Sequence, residues 1–125
     1  MIIKQVTVIV ENKEGKLKEV MDILAARNIN VEALGMSDTV TRLIVADPVE
    51  TKHLLEEYGY EVELTDVISV KIPEDKPGAL AGMLVRIAEE HINLEYMYSY
   101  ASGSGLIMYP SDVEKTNELL VEWDA

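Results

Sequence analysis

The sequence predicts an α+β fold in which one β-α-β-β-α unit occurs twice in tandem. The first observation is a repeat, because residue i matches residue i+63, as when Gly15 is set against Gly78. The second is that strand-like and helix-like segments follow in the same order in both copies. The matched segments are Asn12–Leu17 with Asp75–Leu80, Ile29–Glu32 with Ile92–Glu95, and Leu43–Val45 with Leu106–Met108. This period exceeds solenoid repeats, which run from roughly 20 to 50 residues, and indicates a duplicated domain.

The first copy is predicted to run strand, helix, strand, strand, helix, strand. Val6–Val10 is rich in β-branched residues and predicts the first strand. A stripe of apolar residues at helical spacing predicts the first helix, and its members are Leu17, Val20, Met21, Leu24 and Ala25. The next two strands are predicted at Val31–Met36 and Thr41–Ala46. Asp47 and Pro48 form the expected start of the second helix, and Tyr60–Leu64 predicts the last strand.

The second copy repeats this order up to its second helix. Val67–Ile72 predicts its first strand, and Ser111–Glu114 predicts a capping box for its second helix. Its apolar stripe comprises Leu80, Met83, Leu84, Ile87 and Ala88, and its middle strands are Leu94–Tyr100 and Leu106–Tyr109. The chain stops at Ala125, where the last strand would begin, so we expect this copy to lack that strand.

The two copies are predicted to be joined by only two residues, Thr65 and Asp66. This places one module at residues 1–65 and the other at residues 66–125. Each has the β-α-β-β-α-β order of the ferredoxin-like fold, with both helices on one face of an antiparallel sheet. We therefore predict two ferredoxin-like modules, the second without its last strand.

Composition narrows the classes of function. The 125 residues include 23 acidic and 11 basic side chains, a formal net charge of −12, and no cysteine. An acidic chain without a basic stripe is a poor partner for nucleic acid. The lack of cysteine excludes disulfides, iron–sulfur clusters and thiolate zinc sites. Because the sequence also lacks a signal peptide and any apolar run of about 20 residues, we expect a cytoplasmic protein with no membrane partner.

Side chains suited to catalysis are scarce. The two histidines, His53 and His91, lie in or just after predicted helices and match neither a catalytic triad nor a metal-ligand spacing. His91 aligns with Asn28, which favours a role at the end of a helix. The sequence therefore predicts that the protein is not an enzyme and has no catalytic residues, cofactor or metal.

The loop before the first helix of each copy is the best candidate for a binding site. Gly15 and Gly78 can serve a tight turn, or they can let a ligand carboxylate approach the amides of a helix N-terminus. Asparagines flank the first helix segment as Asn12 and Asn30, and Asp75 and Asn93 repeat that spacing. An asparagine offers both a donor and an acceptor to a zwitterion, although these residues can also simply cap turns.

These motifs resemble the ACT domain, the amino-acid-sensing module of metabolic enzymes and regulators. The family pattern is Asp or Asn, two residues, Gly, one residue, Leu, a helix, and then Ile-Asn before the second strand. The chain as a whole resembles stand-alone tandem ACT proteins without a catalytic domain. The resemblance implies amino-acid binding where ACT units meet, through the residues Asn12, Gly15, Leu17, Asn30, Asp75, Gly78, Leu80 and Asn93. Glu14 replaces the usual proline in the first loop.

Two hypotheses follow for the function. In the first, an amino acid binds and changes the shape or association of a regulatory protein. In the second, the chain is a ligand-free interaction subunit that regulates a metabolic enzyme through its sheet. Tyr96, Tyr98 and Tyr100 alternate along one predicted strand and are expected on the open face of the sheet, with Met97 facing the helices. Such an aromatic row predicts a homodimer or larger homo-oligomer.

Overall fold

A computed structural model describes residues 1–72 and 76–121 of the chain. The strands are β1 (Ile2–Ile9), β2 (Val31–Ser37), β3 (Val40–Val45), β4 (Val62–Lys71), β5 (Leu94–Ser99) and β6 (Gly105–Pro110). The helices are α1 (Lys16–Ala26), α2 (Pro48–Glu57), α3 (Ala79–Glu89) and α4 (Val113–Leu119). Among the described residues no helix is long and apolar enough to cross a membrane. The element order confirms the predicted α+β class.

The chain divides into two compact units. The first, here called the N-terminal unit, is Lys4–Thr65, and the second, the C-terminal unit, is Met1–Ile3 together with Asp66–Ala125. Strands β1 and β4 therefore each contribute residues to both units. The prediction of a two-residue link at Thr65-Asp66 is wrong, because both residues lie inside the continuous strand β4. Thr65 is β-branched and extends the strand instead of breaking it.

The N-terminal unit has the ferredoxin-like strand order β2-β3-β1-β4. Strand β3 pairs antiparallel with β1 on one side and with β2 on the other. Leu43 of β3 lies opposite Val6 of β1 and opposite Leu34 of β2. Alternate residues of these strands face the helices and pack against their apolar stripes. The buried cluster consists of Val6, Val8, Val10, Val20, Leu24, Leu43, Val45, Leu54, Leu55 and Val62. The predicted stripe of α1 is thus buried at Val20 and Leu24.

The C-terminal unit repeats this arrangement with β5-β6-β4. Its buried cluster consists of Ile68, Val70, Met83, Ile87, Ile92, Met108 and Leu120. Met97 pairs with Met108, so it lies on the helix-facing side of the sheet as predicted. On the other side of β4, Ser69 N–H donates to the Met1 carbonyl at 2.8 Å and Met1 N donates to the Ser69 carbonyl at 3.1 Å. This reciprocal pair is antiparallel, and residues 1–3 occupy that edge of the unit. The expected loss of a last strand concerns residues 122–125, which lie outside the described residues.

The turn that joins β2 to β3 in one unit and β5 to β6 in the other changes the offset of the repeat. In the N-terminal unit Leu34 pairs with Leu43, and in the C-terminal unit Met97, 63 residues after Leu34, pairs with Met108. Met108 is therefore the counterpart of Leu43, and the predicted match of Leu43 with Leu106 is wrong. Two residues join β2 to β3, but a longer turn joins β5 to β6, closed by the bond from Tyr100 N–H to the Gly105 carbonyl at 3.0 Å. The offset grows from 63 to 65 across this turn.

Helices α2 and α4 each begin after an aspartate N-cap. Asp47 accepts a hydrogen bond from Glu50 N–H at 3.0 Å, which confirms it as the N-cap of α2 with Pro48 in the first turn. In the second copy the cap of α4 is Asp112, which accepts from Lys115 N–H at 3.0 Å. The predicted capping box beginning at Ser111 is therefore displaced by one residue, because the side chain of Ser111 is engaged elsewhere.

Candidate functional site

The two glycine loops have the same backbone geometry. Gly15 has φ 81° and ψ −8°, and Gly78 has φ 83° and ψ 0°, so both lie in the left-handed region that glycine adopts without strain. Lys16 N–H donates to the Lys13 carbonyl at 3.2 Å, and the second loop repeats this bond between its equivalent residues at 3.2 Å. A Cβ on either glycine would meet no heavy atom within 4 Å. The loops therefore need glycine for the turn and are also open to an approaching ligand.

The structure does not bring the two asparagines of one unit together. Asn12 is exposed in the turn after β1, and Asn30 is exposed just before β2. The start of β3 lies beside the end of β1, through Val40 and Ile9, while the end of β3 lies beside the start of β2. Asn12 and Asn30 are therefore at opposite ends of the sheet. The 11 residues of α1 run between them, a distance of about 16 Å.

The corresponding residues of the second copy are arranged similarly. Asn93 is exposed just before β5, and its backbone is fixed by Ser111, whose Oγ accepts from Asn93 N–H at 3.0 Å and whose N–H donates to the Asn93 carbonyl at 2.8 Å. Leu80 is 38% exposed at the start of α3, whereas Leu17 is half-buried. Asp75 lies outside the described residues. The assignment of all eight residues to a ligand site stays a prediction.

A cleft of about 420 Å³ opens beside the Gly15 loop. It lies wholly in the N-terminal unit, between the end of β1, the first turn of α1 and the turn that joins α2 to β4. We call it the acidic cleft. Its lining residues are Ile9, Glu11, Lys16, Glu19, Tyr58, Gly59, Tyr60 and Glu61. The volume is within the usual range for small-molecule sites. None of these residues was among the predicted site residues, although Glu11 and Lys16 flank the predicted loop.

Carboxylates dominate the charge of the acidic cleft. Glu19 lies 3.5 Å from Lys16 Nζ, and Glu11 lies 3.1 Å from the Nζ of Lys13. The hydrogen bond from Lys13 lowers the pKa of the Glu11 carboxyl, so Glu11 is ionised at neutral pH. These ion pairs are solvent-exposed, and pairs of this kind contribute only about 0–1 kcal/mol. A bound ligand can therefore replace them at small cost.

Tyr60 connects the acidic cleft to the core. Its hydroxyl is buried beside the carboxylate of Glu19. Burial raises the pKa of Tyr60, and the negative charges of Glu19 and Glu11 raise it further. Both carboxylates line the same cleft as Tyr60. The phenol therefore stays protonated at neutral pH.

The structure places both histidines in ordinary helix positions. His91 has φ 58° directly after α3, and Asn28 has φ 58° directly after α1, which confirms the helix-terminal position predicted for His91. His53 is exposed on α2, with Nδ1 3.8 Å from Glu56. Within residues 1–72 and 76–121, no group of three or more potential ligands is placed to hold a metal ion.

Two similar α+β units in tandem, each with a glycine turn at a helix start, define a class of small paired α+β domains. Residues 1–124 match the ACT domain pair family. The chain belongs to this family. The ACT domain pair is a regulatory module, which agrees with the resemblance found in the motifs.

Solved structures share the fold. Protein BT0572 from Bacteroides thetaiotaomicron is 37% identical, with a TM-score of 0.88 over 98% of this chain and 88% of that one. The regulatory subunit of aspartate kinase from Thermus thermophilus, in a ligand-free form, is 18% identical, with a TM-score of 0.66 over 100% and 95%. The corresponding subunit from Thermus flavus is 18% identical, with a TM-score of 0.68 over 98% and 92%. No curated protein sequence matches the chain.

Proposed function

We propose that the protein is a regulatory protein that binds a free amino acid at a glycine loop. The observation that carries this proposal is the acidic cleft beside Gly15, which offers both signs of charge to a zwitterion. Lys16 and the amides at the start of α1 suit the ligand carboxylate. Glu11 and Glu19 suit its ammonium. The module boundaries at 1–65 and 66–125 and a cytoplasmic location belong to the same proposal.

We further propose that the site is completed by a second copy of the chain. Asn12 and Asn30 lie about 16 Å apart within one unit, by the length of α1. One amino acid is too short to contact both. If both asparagines belong to one site, Asn30 must come from another copy of the chain, so ligand binding and association of copies are coupled. This coupling is how a small ligand can change the assembly and, through it, a partner metabolic enzyme.

An interaction subunit without a ligand is the second candidate function. It is favoured by the aromatic surface of the C-terminal unit, where Tyr96 stacks on Tyr109 at 5.2 Å and on Tyr98 at 6.4 Å. Tyr100 OH is hydrogen-bonded to Ser69 Oγ at 2.7 Å, so this row is ordered and half-buried. Ordered aromatic surfaces are frequent in protein interfaces.

Calorimetric titration with each of the twenty amino acids separates the two functions. The amino-acid regulator predicts saturable heat with at least one of them, and a raised melting temperature, because a ligand that binds only the folded state stabilises it. Sedimentation with and without that ligand then tests whether binding changes the assembly. Absence of binding by all twenty would leave the interaction subunit as the function.

A further inference from the structure

The charges of the acidic cleft do not balance for a neutral amino acid. Three carboxylates line it, from Glu11, Glu19 and Glu61. Lys16 lies 3.5 Å from Glu19, and Lys13, outside the lining, lies 3.1 Å from Glu11, so an excess of one negative charge remains. A zwitterion with an uncharged side chain brings one positive and one negative group, which leaves the excess of negative charge unchanged. A ligand with a second cationic group reduces that excess. Opposite charge within a few ångströms favours binding, and each like-charged carboxylate left alone in a cleft opposes it.

The carboxylates come from three different elements. Glu11 follows β1, Glu19 lies in the first turn of α1, and Glu61 precedes β4. The backbone at Glu61 is held in place, because its carbonyl accepts from Ile9 N–H at 3.0 Å. Tyr60 lines the same cleft, with its buried hydroxyl beside the carboxylate of Glu19. A group that enters the cleft is thus surrounded by negative charge, while Lys16 remains at the helix start for a carboxylate.

The second copy does not carry this charge pattern. The helices α1 and α3 have equal length and begin directly after equivalent glycines, so Lys16 corresponds to Ala79 and Glu19 corresponds to Gly82. Neither the ammonium nor the carboxylate of the first turn is present in α3. The backbone of the loop is shared by both copies, and Glu11 and Lys13 have the sequence counterparts Glu74 and Lys76, whereas the first-turn charges of Lys16 and Glu19 belong to one copy.

We propose that the working site is the loop of the N-terminal unit alone, and that its ligand is an amino acid with a cationic side chain. This inference rests on the proposed function and names the ligand class for the same site. The ligand carboxylate lies near Lys16 and the Gly15 loop. Its α-ammonium and its side-chain cation are shared among Glu11, Glu19 and Glu61. No covalent step is involved.

The test compares L-lysine and L-arginine with L-norleucine and L-glutamine, which are similar in length but lack the side-chain charge. We expect lysine or arginine to bind at least about tenfold more tightly, the effect of one charge-assisted hydrogen bond. Glu61→Gln and Glu19→Gln should each remove most of this preference. Glu57→Gln changes the net charge equally on the exposed end of α2, outside the cleft, and should leave the preference intact. Cadaverine, which lacks the carboxylate, should bind more weakly than lysine.

The outcomes separate the two proposals. Equal affinity for lysine and norleucine, or an equal loss of preference in Glu57→Gln and Glu61→Gln, would overturn the cationic ligand while leaving an amino-acid regulator in place. Failure of every amino acid to bind the parent protein would overturn the proposed function itself, and this inference with it. Because the ligand comparison is made on the parent protein, it remains decisive even if one variant does not fold.

Discussion

The first helices of the two copies share a framework and differ on their surfaces. Both are 11 residues long, follow a glycine with positive φ, and bury the fifth and ninth residues, which are Val20 and Leu24 in α1 and Met83 and Ile87 in α3. The exposed face of α1 carries charge, including the Lys18–Asp22 pair at 2.6 Å. The exposed face of α3 carries alanine, glycine and valine over most of its length, with charge only at Arg86 and Glu89 near its end. The duplication has thus kept the residues that fold the unit and changed the charge of the exposed face.

The largest expected effect tests the shared framework. Leu24→Ala in α1 and Ile87→Ala in α3 each remove a side chain that is at most 2% exposed. Each should lower the free energy of unfolding by about 2–5 kcal/mol, because the space left behind is not refilled. Urea denaturation measures this loss. Lys18→Ala on the exposed face of α1 is the control and should change stability by less than about 0.5 kcal/mol. A small effect of either core variant would show that the two frameworks are not equivalent.

A smaller loss of stability is expected at a position where the strand pairing of the two units differs. Gly105 pairs with Lys71 at the position that Val40 takes opposite Ile9 in the N-terminal unit. A Cβ on Gly105 would lie 2.6 Å from the carbonyl oxygen of Val70, so the strands would have to move apart. Gly105→Ala should therefore destabilise the protein by about 1–3 kcal/mol.

Val40→Ala is the matched variant for this prediction. It removes methyl groups from a half-buried strand position without crowding a backbone atom, so we expect a cost below about 1 kcal/mol. Thermal unfolding of the two variants, followed by circular dichroism, compares them directly. If Val40→Ala were the more destabilising of the two, the close approach of the Val70 carbonyl oxygen would not explain why residue 105 is a glycine.

The elements of the fold were largely predictable because their signals are local. The buried stripes, the Asp47 cap and the helix-terminal His91 each depend on residues within a few positions of one another. The continuity of β4 was not predicted from the sequence. Thr65 and Asp66 look like turn residues in the sequence, and their place within a strand becomes clear only when the strand pairing is known. The changed offset was missed for a related reason, since the longer turn before Gly105 shows only once the strand registers are seen.

The candidate site was predictable only in part. The glycine loop was identified from its motif, but the turn that supplies Tyr60 and Glu61 is about 45 residues further along the chain, and only the fold brings it to the loop. One signal was present in the sequence. Lys16 and Glu19 stand where the second copy has Ala79 and Gly82, so comparison of the copies could have shown that only the first copy has a charged first helical turn.

Alanine substitution of Asn30 and of Asn93 tests whether one loop or both loops bind the ligand. Asn30→Ala should weaken lysine binding by about 1–3 kcal/mol, the cost of leaving a polar group without its partner. Asn93→Ala should leave lysine affinity unchanged, because the first turn of α3 has Ala79 and Gly82 in place of Lys16 and Glu19. Both side chains are exposed, so neither change should disturb the fold. Calorimetric titration of both variants tests this. Equal losses would mean that both loops bind ligand.

The smallest effect concerns Tyr60 and alkaline pH. The pKa of Tyr60 is raised in the folded protein, so the fold favours the protonated phenol. This contribution to stability is complete below the unfolded pKa of about 10 and is lost as the pH rises through the raised folded value. Tyr60→Phe should therefore lose less stability between about pH 9 and pH 11 than the parent, as measured by urea unfolding. Tyr58→Phe, at a position 60% exposed, should behave like the parent.

The central claim is that one loop binds the ligand and the other only makes a turn. The amide protons of Gly15 and Gly78 report on the two loops separately in a ¹⁵N-labelled protein. Titration with L-lysine should shift the Gly15 amide resonance saturably and leave that of Gly78 in place. A saturable shift of Gly78 with Gly15 unmoved would contradict the account, because the ligand would then occupy the loop that lacks Lys16 and Glu19.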